Sequence, residues 1–500
     1  MARLAAKHGC STAAQPTIET PVDLFQTKSL DRILSESEGR NPLSRTLGPG
    51  ALVSLGVGAV VGAGIFTLTG VAASMYTGPG LVISFVLAAI GCSLAGLCYS
   101  EFATMIPVAG SAYTYAYATF GELWAWIIGW DLILEYSVGA ATVAIGWSQT
   151  LKALLASFGV GLPGSISSSP FQSDSGGLIN LPAVLIIAVV SLILIRGIRE
   201  SARVNNVVVA LKITVLLVFI AIGWSYMQPA NHTPLIPPNE GHFGQFGWSG
   251  LLTGAGVIFF AYIGFDAVST AAQEARNPRR DLPIGIFGSL LVCTVLFILY
   301  AWVLTGVVNY RNLNVAAPLA LALERIPYRW LGIAMNLAVL AGLTSVMLVM
   351  LLGQSRVFYS MARDGLLPKV FAEVHPRFRT PWRCNLLLMV FVSLFSAFAP
   401  ISVVGEMTSI GTMFAFVLVC GGVIVMRRRH PEMQRPFRTP WVPVAPILGI
   451  LVNVLLMAGL GWSNWTRLIV WMAIGLAIYF KRRGARGLQN VEVLQAEPRP

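Results

Sequence analysis

The sequence predicts an all-α polytopic membrane protein with twelve transmembrane helices. Hydrophobic residues make up 55% of the chain and charged residues 11%, against about 45–50% and about 25% in soluble domains. The mean hydropathy is +0.71. About 20 apolar residues cross a bilayer as a helix. Stretches of this kind lie near residues 51–73, 79–104, 121–151, 178–196, 205–227, 248–275, 284–308, 330–361, 384–400, 404–427, 442–461 and 464–481.

Basic residues are distributed unevenly between the two sides of these spans. Of the 34 Lys and Arg, 28 lie in the N-terminal segment, in alternate loops and in the C-terminal tail, whereas the opposite loops hold five. Loops rich in Lys and Arg stay in the cytoplasm. We therefore expect both termini to be cytoplasmic in a plasma membrane. The net charge of +12 then reports topology and attraction to anionic lipid, and nucleic acid is not an expected partner.

The residue pattern argues against an enzyme. No nucleophile, base and orienting acid form a catalytic grouping, and the six cysteines have no metal-ligand spacing. All but Cys10 lie in or at the ends of spans, where cysteine usually behaves as a small buried apolar residue. We therefore expect no catalytic residue, no metal site and no cofactor.

Glycine interrupts two of the spans. The first span contains GVGAVVGAGIFTLTG from Gly56 to Gly70, and the sixth contains FFAYIGFD from Phe259 to Asp266. A helix broken at membrane depth leaves backbone groups unpaired, which is tolerated only where those groups line a cavity. Such breaks at corresponding positions of two halves are typical of secondary transporters. The alternative interpretation is that these small residues form a helix-packing face.

The positions of the breaks also predict a domain organisation. Spans one to five and six to ten can be laid over each other, because each set begins with a broken helix and contains a long third helix. An odd number of spans per half forces the halves into opposite orientations. The expected divisions are an N-terminal segment 1–50, a first repeat 51–227, a second repeat 248–427, two further spans 442–481 and a tail 482–500.

We expect the two breaks to form a socket for the head group of a substrate. N–H groups at the start of the outer half-helix of the first span would face a carboxylate, which the positive end of the helix dipole favours. Carbonyl groups at the end of the inner half-helix and in the second break would suit an ammonium. Together they fit the zwitterionic head of an amino acid. The residues concerned are Val60, Ala63, Gly64, Ile65, Phe260, Ala261 and Ile263.

Lys212 is a basic residue close to the middle of the fifth span. A charged side chain at the centre of a membrane helix costs about 2.5 to 3.5 kcal/mol on insertion scales. One interpretation is that the side chain snorkels to the interface. The preferred interpretation is a proton-coupling ammonium, because burial disfavours its charge while carbonyl groups of the broken first helix favour it. Gaining or losing a proton would then change how tightly spans one and five are tied.

Acidic residues also occur within the spans. Glu135 lies at mid-depth in the third span, with Asp131 one helical turn earlier. Glu135 could bind a positive or polar substrate side chain, take up a proton, or pair with another polar group. Asp266 directly follows the second break and is interpreted as an N-cap. Glu101 and Glu274 lie at cytoplasmic ends and are expected to act in a gate or in topology.

Met350 lies in the eighth span. It could set the depth of the pocket that receives the substrate side chain. The alternative is ordinary packing, which is the commoner role of a methionine in such a helix.

These motifs resemble the amino acid, polyamine and organocation superfamily, and within it bacterial relatives of the cationic amino acid transporters. The resemblance extends from about residue 40 to 480. The strings that carry it are GAGIFTLTG, VAGSAYTYAYATFGELWAWIIGWDLILEY, FFAYIGFDAVSTAAQEARNPRRDLPIGI, SRVFYSMARDGLLPKVF, SIGTMFAF and RPFRTPWVPVAPILGI.

The resemblance implies a five-plus-five inverted repeat with discontinuous first and sixth helices. It implies that backbone groups at the two breaks hold the substrate α-groups, and that Lys212 occupies the lysine position used in proton coupling by bacterial members. Glu135 matches an acidic cavity position and Met350 a pocket-lining position. Ala63 replaces a hydroxyl residue that is often found there. Animal members carry two further spans, so the chain looks bacterial.

We therefore expect a proton-coupled importer of amino acids that works by alternating access, with small neutral or cationic substrates. Its partners would be the amino acid, protons and membrane lipid. The sequence does not decide whether a small accessory membrane protein also binds. The alternative on the same fold is an uncoupled facilitator or exchanger. A channel would conduct far faster than a carrier, and a nutrient sensor would bind without translocating.

Overall fold

The structure, a computed structural model, describes residues 24–25, 27–28, 47–106, 111–171, 176–197, 202–315 and 317–496. Within these residues nearly all regular structure is helical, and β pairing is limited to two isolated bridges. Most of the predicted segment 1–50 and residues 497–500 of the predicted tail lie outside the described residues.

The first half of the chain contains nine α-helices. They are α1 (Pro49–Val60), α2 (Thr69–Ala72), α3 (Leu81–Met105), α4 (Ser111–Thr119), α5 (Glu122–Leu132), α6 (Gly139–Ser157), α7 (Gly164–Ser167), α8 (Leu181–Ile195) and α9 (Ala202–Trp224) among the described residues. Segments of π-helix follow the first break, precede the second span and interrupt the third span. They are Gly64–Leu68, Ala73–Thr77 and Ile133–Val138. Short 3-10 turns occur at Gly78–Gly80 and Pro229–His232.

The second half contains a further nine α-helices in its described residues. They are α10 (Gly247–Ile258), α11 (Ala267–Thr270), α12 (Pro278–Val307), α13 (Pro318–Glu324), α14 (Arg329–Arg363), α15 (Trp382–Phe398), α16 (Ile401–Arg429), α17 (Val444–Gly459) and α18 (Trp462–Ala496). The 3-10 turns here are Phe259–Tyr262, Ala272–Glu274, Tyr310–Asn312 and Lys369–Ala372.

Many of these helices have the length and composition of membrane spans. In the described part of the chain, seven helical runs are individually long and apolar enough to cross a membrane, and α17 with the start of α18 forms a further pair bent by 111°. The apolar helices α1, α8 and α15 are shorter. The all-helical class is confirmed, and these helices agree with the predicted polytopic membrane protein. The exact count of twelve spans stays a prediction.

The order of the helices resembles the predicted division into two halves. Each half begins with an interrupted helix, α1 in the first and α10 in the second, and each has a long third helical run, Glu122–Ser157 and Arg329–Arg363. Helix α1 packs on α12, and α14 packs on α6. Helix α10 packs on α3, so both interrupted helices lie against long continuous ones. The opposite orientation of the two halves and the domain limits stay predictions.

Buried ion pairs tie one end of the bundle, which we call the basic end. Glu101 at the end of α3 accepts hydrogen bonds from the Arg427 guanidinium at 3.0 and 2.7 Å, and Arg435 lies 3.3 Å away. The backbone N–H of Thr439 donates to the same carboxylate at 2.7 Å. Only 2% of the Glu101 side chain is exposed, so this carboxylate joins α3, α16 and the following loop in the interior.

A second contact at the basic end involves the N-terminal segment. The Lys28 ammonium lies 2.8 Å from the Asp364 carboxylate at the end of α14. The Tyr113 hydroxyl of α4 donates to the other oxygen of Asp364 at 2.7 Å. Gly121 (φ +99°) lies directly against the backbone of Phe25, because a Cβ there would come within 2.5 Å of it. The described residues 24–25 and 27–28 thus contact this end of the bundle.

Candidate functional site

The first span is interrupted where the sequence predicts it. Helix α1 ends at Val60, Val61 is extended (φ −73°, ψ 96°), and helical structure resumes as π-helix at Gly64. The last carbonyl groups of α1 therefore have no backbone N–H one turn later with which to pair. The first N–H groups of the outer segment likewise have no carbonyl group one turn earlier. Helix termini with such free groups bind charged solutes. Both kinds of terminus meet at residues 58 to 65.

The sixth span is also interrupted. Helix α10 ends at Ile258, a 3-10 turn covers Phe259–Tyr262, and Gly264 has φ +112°, a conformation that other residues adopt only under strain. The Phe260 carbonyl, one of the predicted acceptors, receives the Ile263 N–H at 3.2 Å. In the described part of the chain, no hydrogen bond reaches the carbonyl groups of Ala261 and Ile263. These two remain the open acceptors of this break.

The two breaks touch each other. A Cβ on Gly64 would lie 2.3 Å from the Cα of Ala261, and a Cβ on Gly264 would lie 3.0 Å from the carbonyl carbon of Ala59. Only glycine permits a backbone approach this close at Gly64. The free groups of both half-helices are therefore brought to one place, which sequence spacing alone does not require.

Lys212 is buried beside the first break, with 1% of its surface exposed. Its ammonium donates a hydrogen bond to the Gly58 carbonyl at 2.7 Å. Its aliphatic stem lies against Gly342 of α14, where a Cβ would come within 2.8 Å of the Lys212 Cε. The ammonium is enclosed in the bundle in this structure. It joins the fifth span to one of the last carbonyl groups of α1.

Glu135 lies in the π-helical segment of the third span and is fully buried. Its carboxyl group lies close enough to those of Asp131 and Asp266 to interact electrostatically. Segments of π-helix inside α-helices are frequent at functional sites. The structure thus brings the acids of the third span to the second break.

The N-cap interpretation of Asp266 needs correction. Asp266 does occupy the N-cap position of α11, but its side chain makes no capping hydrogen bond. Instead its carboxylate accepts a hydrogen bond from the Tyr136 hydroxyl at 2.9 Å. A nearby tyrosine hydroxyl offers a well-aligned donor across the bundle, so the side chain serves a tertiary contact between the third and sixth spans.

Met350 lies on α14 where this helix faces the third span. Its sulfur would be 3.4 Å from a Cβ on Gly139, and the Thr408 methyl group would be equally close to that Cβ. Gly146, two turns further along α6, lies against Ala63 and Thr67 of the first break. Met350 and the first break therefore both lie along the same face of α6.

The whole arrangement is closed in this structure. Nine of the predicted site residues are each 5% exposed or less: Val60, Ala63, Ile65, Phe260, Ala261, Ile263, Glu135, Lys212 and Met350. A solute held here would be shielded from both ends of the bundle. Chemically, the site offers unpaired N–H groups, unpaired carbonyl groups and one ammonium.

Sequence reasoning missed several residues around the site. Gly342 makes room for the Lys212 stem, Val346 lies 3.2 Å from the Cβ position of Gly62, and Tyr136 holds Asp266. The available signal for Gly342 was that it is a small residue in the eighth span, and the signal for Tyr136 was that it follows a glutamate within a span. Neither identifies its partner without the fold, because the partners are far away in sequence.

Comparison with known proteins adds independent information. The model of the amino acid permease family matches residues 47–479. The chain is 43% identical to the branched-chain amino acid permease BcaP of Bacillus subtilis, with 91% of this chain and 97% of the relative covered. It is 41% identical to the methylthioribose transporter of the same organism, with 93% and 99% covered. It is 36% identical to the vacuolar cationic amino acid transporter 4 of Arabidopsis thaliana, with 82% and 68% covered.

Proposed function

Because this chain belongs to the amino acid permease family, we propose that it imports neutral amino acids with small or branched apolar side chains by symport with protons. The family membership and the apolar helices make it a multi-pass membrane protein and a transporter rather than an enzyme. The finer statements, on the substrate, the coupling ion and the orientation, are the proposal. The observation that carries it is the direct contact between the two helix breaks at Gly64 and Ala261.

The socket at this contact suits the part that all amino acids share. Free N–H groups at the start of the Gly64–Leu68 segment would hold the α-carboxylate, because helix N-termini favour anions. The open carbonyl groups of Ala261 and Ile263, with those that end α1, would hold the α-ammonium. Backbone groups recognise the head of the substrate and leave its side chain to a separate pocket.

The side-chain pocket is proposed along the face of α6 that meets α14. Met350, Thr408 and Gly139 lie together there, and an apolar, polarizable surface of this kind packs well on aliphatic groups. Two relatives are named as branched-chain amino acid permeases. Both points favour a neutral substrate over a cationic one.

Proton coupling is proposed to involve Lys212. Its ammonium stabilises the closed first break through the Gly58 carbonyl. Loss of the proton would remove the positive charge and weaken this bond, because hydrogen bonds from charged donors are roughly twice as strong as neutral ones. The inner half-helix would then be free to move away from the fifth span. The basic end is proposed to face the cytoplasm, by the positive-inside rule.

The substrate assignment can be tested by thermal stabilisation of the purified protein. We expect valine, leucine, isoleucine and alanine to raise the melting temperature in detergent, and lysine and arginine to leave it unchanged, in a panel of all twenty amino acids and methylthioribose. Stabilisation by methylthioribose alone would contradict the amino acid assignment. Stabilisation only by lysine and arginine would contradict the neutral side chain.

We expect Lys212→Met to abolish the acceleration of uptake by an inward proton gradient. Methionine keeps the volume of the stem but cannot donate to the Gly58 carbonyl or carry a proton. The measurement is the initial rate of radiolabelled amino acid uptake into proteoliposomes, with and without the pH gradient. Lys369→Met, at an exposed position of the basic end, is the control and should keep the acceleration. Undiminished acceleration in Lys212→Met would remove Lys212 from the coupling mechanism.

A further inference from the structure

The carboxyl groups of Asp131, Glu135 and Asp266 form a cluster in the interior of the bundle. Each side chain is 1% exposed or less. The cluster joins the third span to the sixth, because the Tyr136 hydroxyl next to Glu135 donates to Asp266 at 2.9 Å. Asp266 follows Gly264, the residue that lies against α1, by two positions. The cluster therefore adjoins the break that is proposed to hold the substrate.

These carboxyl groups lack the partners that buried anions need. In the described part of the chain, no N–H or hydroxyl donor reaches either oxygen of Asp131 or Glu135, and one oxygen of Asp266 also lacks such a donor. The carboxyl groups of Glu135 and Asp266 lie within hydrogen-bonding reach of each other. None of the three acids forms an ion pair with a described basic side chain. The ammonium of Lys212 is directed to the Gly58 carbonyl.

The surrounding helices present polar groups, but no described cation, to the cluster. The Tyr99 hydroxyl of α3 is fully buried and has no hydrogen-bond partner among the described residues. It interacts electrostatically with Asp266 and Glu135. Tyr115 of α4 interacts with Asp266. The α16 helix contributes Cys420, near Tyr99. The α14 helix contributes Gly353, whose Cβ position lies 3.4 Å from the Tyr136 ring.

Three carboxylates cannot remain charged together in such a place. Burial disfavours the charged form of each, and close like charges disfavour it further. Pairs of carboxyl groups that are close together therefore share a proton. A protonated Glu135 has an O–H to donate to Asp266, and the unpaired Tyr99 hydroxyl can donate to the charge that is left. Protons would supply the missing partners.

Resting on the proposed function, we infer that Asp131, Glu135 and Asp266 form a second proton-binding site, separate from Lys212, whose occupancy holds the third and sixth spans together. When the basic end opens, the O–H bond of the shared carboxyl breaks and its proton passes to water on that side. The cluster gains one negative charge. Repulsion between the carboxylates then favours separation of Asp266 from Glu135, and a new proton must bind before the site can close.

Infrared spectroscopy tests the presence of the proton directly. We expect the purified wild-type protein at neutral pH to show the C=O stretch of protonated carboxyl groups, with a shift in D2O. The double variant Glu135→Gln with Asp266→Asn should lose most of this band. Glu324→Gln, at an exposed position of α13, should retain it. Absence of the band in the wild-type protein, which needs no variant to fold, would overturn the inference.

Transport assays test the link to coupling. In proteoliposomes we expect the double variant to lose the acceleration of net uptake by an inward proton gradient, measured as the ratio of the initial rates with and without the gradient. Amino acid counterflow, which needs no net proton movement, is measured beside it as the reference rate for substrate binding and exchange. Full acceleration in the double variant would overturn the inference. Stabilisation of the wild-type protein by Na⁺ or K⁺, lost in the double variant, would identify a metal-ion site instead and overturn it too.

These arms separate the inference from the proposed function. If the wild-type protein neither binds nor exchanges any amino acid, the proposed function fails, while the infrared band still decides whether the cluster carries a proton. If amino acids are exchanged but the band is absent, the transporter assignment stands and the second proton site fails.

Discussion

Gly64→Ala is expected to reduce amino acid uptake by about 100-fold or more, the effect that a displacement near 1 Å has in a preorganised site. The added methyl group would lie 2.3 Å from the Cα of Ala261 and 2.7 Å from its nitrogen. Both are main-chain atoms, so no rotation of a side chain relieves the overlap. The two breaks must move apart, and their N–H and carbonyl groups no longer face one solute. Uptake into proteoliposomes and stabilisation by the best amino acid are the measurements.

Two other glycines, Gly62 and Gly50, provide controls in which the added methyl group has progressively more room. The three atoms nearest to a methyl group on Gly62 all belong to the side chain of Val346, the first at 3.2 Å, and this side chain can shift by a few tenths of an ångström. A methyl group on Gly50, at the start of α1, meets nothing within 4 Å. We expect Gly50→Ala to transport normally and Gly62→Ala to lose much less than Gly64→Ala. Equal activity of all three variants would show that the breaks do not have to meet.

Glu101→Gln is expected to cause the largest loss of stability, about 3 to 5 kcal/mol, the usual cost of removing one partner from a buried ion pair. Arg427 and Arg435 both lie against this carboxylate, and Thr439 also donates to it. Glutamine keeps the shape of the side chain but leaves the positive charges uncompensated. A lower melting temperature in detergent, with the amino acid specificity unchanged, is the expected result.

A surface ion pair at another position provides the matched control. Glu373 and Arg383 form a contact of 2.6 Å, but both side chains are nearly half exposed. Exposed pairs contribute about 0 to 1 kcal/mol, so Glu373→Gln should leave the melting temperature almost unchanged. If both variants lose the same stability, burial is not what makes the Glu101 network important.

Several parts of the fold could be predicted from the sequence because they depend on local composition. The all-helical class follows from long apolar stretches with few charges. The interruption at residues 61 to 63 follows from glycines on both sides of Ala63, and the interruption near Gly264 from the same kind of pattern. Helices that are continuous by composition, such as α14, also lie where the sequence predicts them. The exact span count and the inverted repeat were predicted and stay predictions.

The candidate site could be predicted only in part. The backbone groups of the first break could be identified, because a helix that ends must leave its last carbonyl groups unpaired. The role of Asp266 could not, since the residue that holds its side chain, Tyr136, lies 130 positions earlier in the chain. The hydrogen bond from the Ile263 N–H to the Phe260 carbonyl depends on the conformation of the turn, which the residue types do not determine.

The sequence by itself determined which helices are interrupted, which side of the bundle is basic, and which ionisable residues lie within the spans. Periodicity, glycine placement and the cost of charge in an apolar medium act locally, so they can be read from neighbouring residues. Only the tertiary structure decided that Gly64 lies on Ala261, that Lys212 reaches Gly58, and that three acids from two spans share one interior. These contacts arise from the packing of distant helices, which no local pattern encodes.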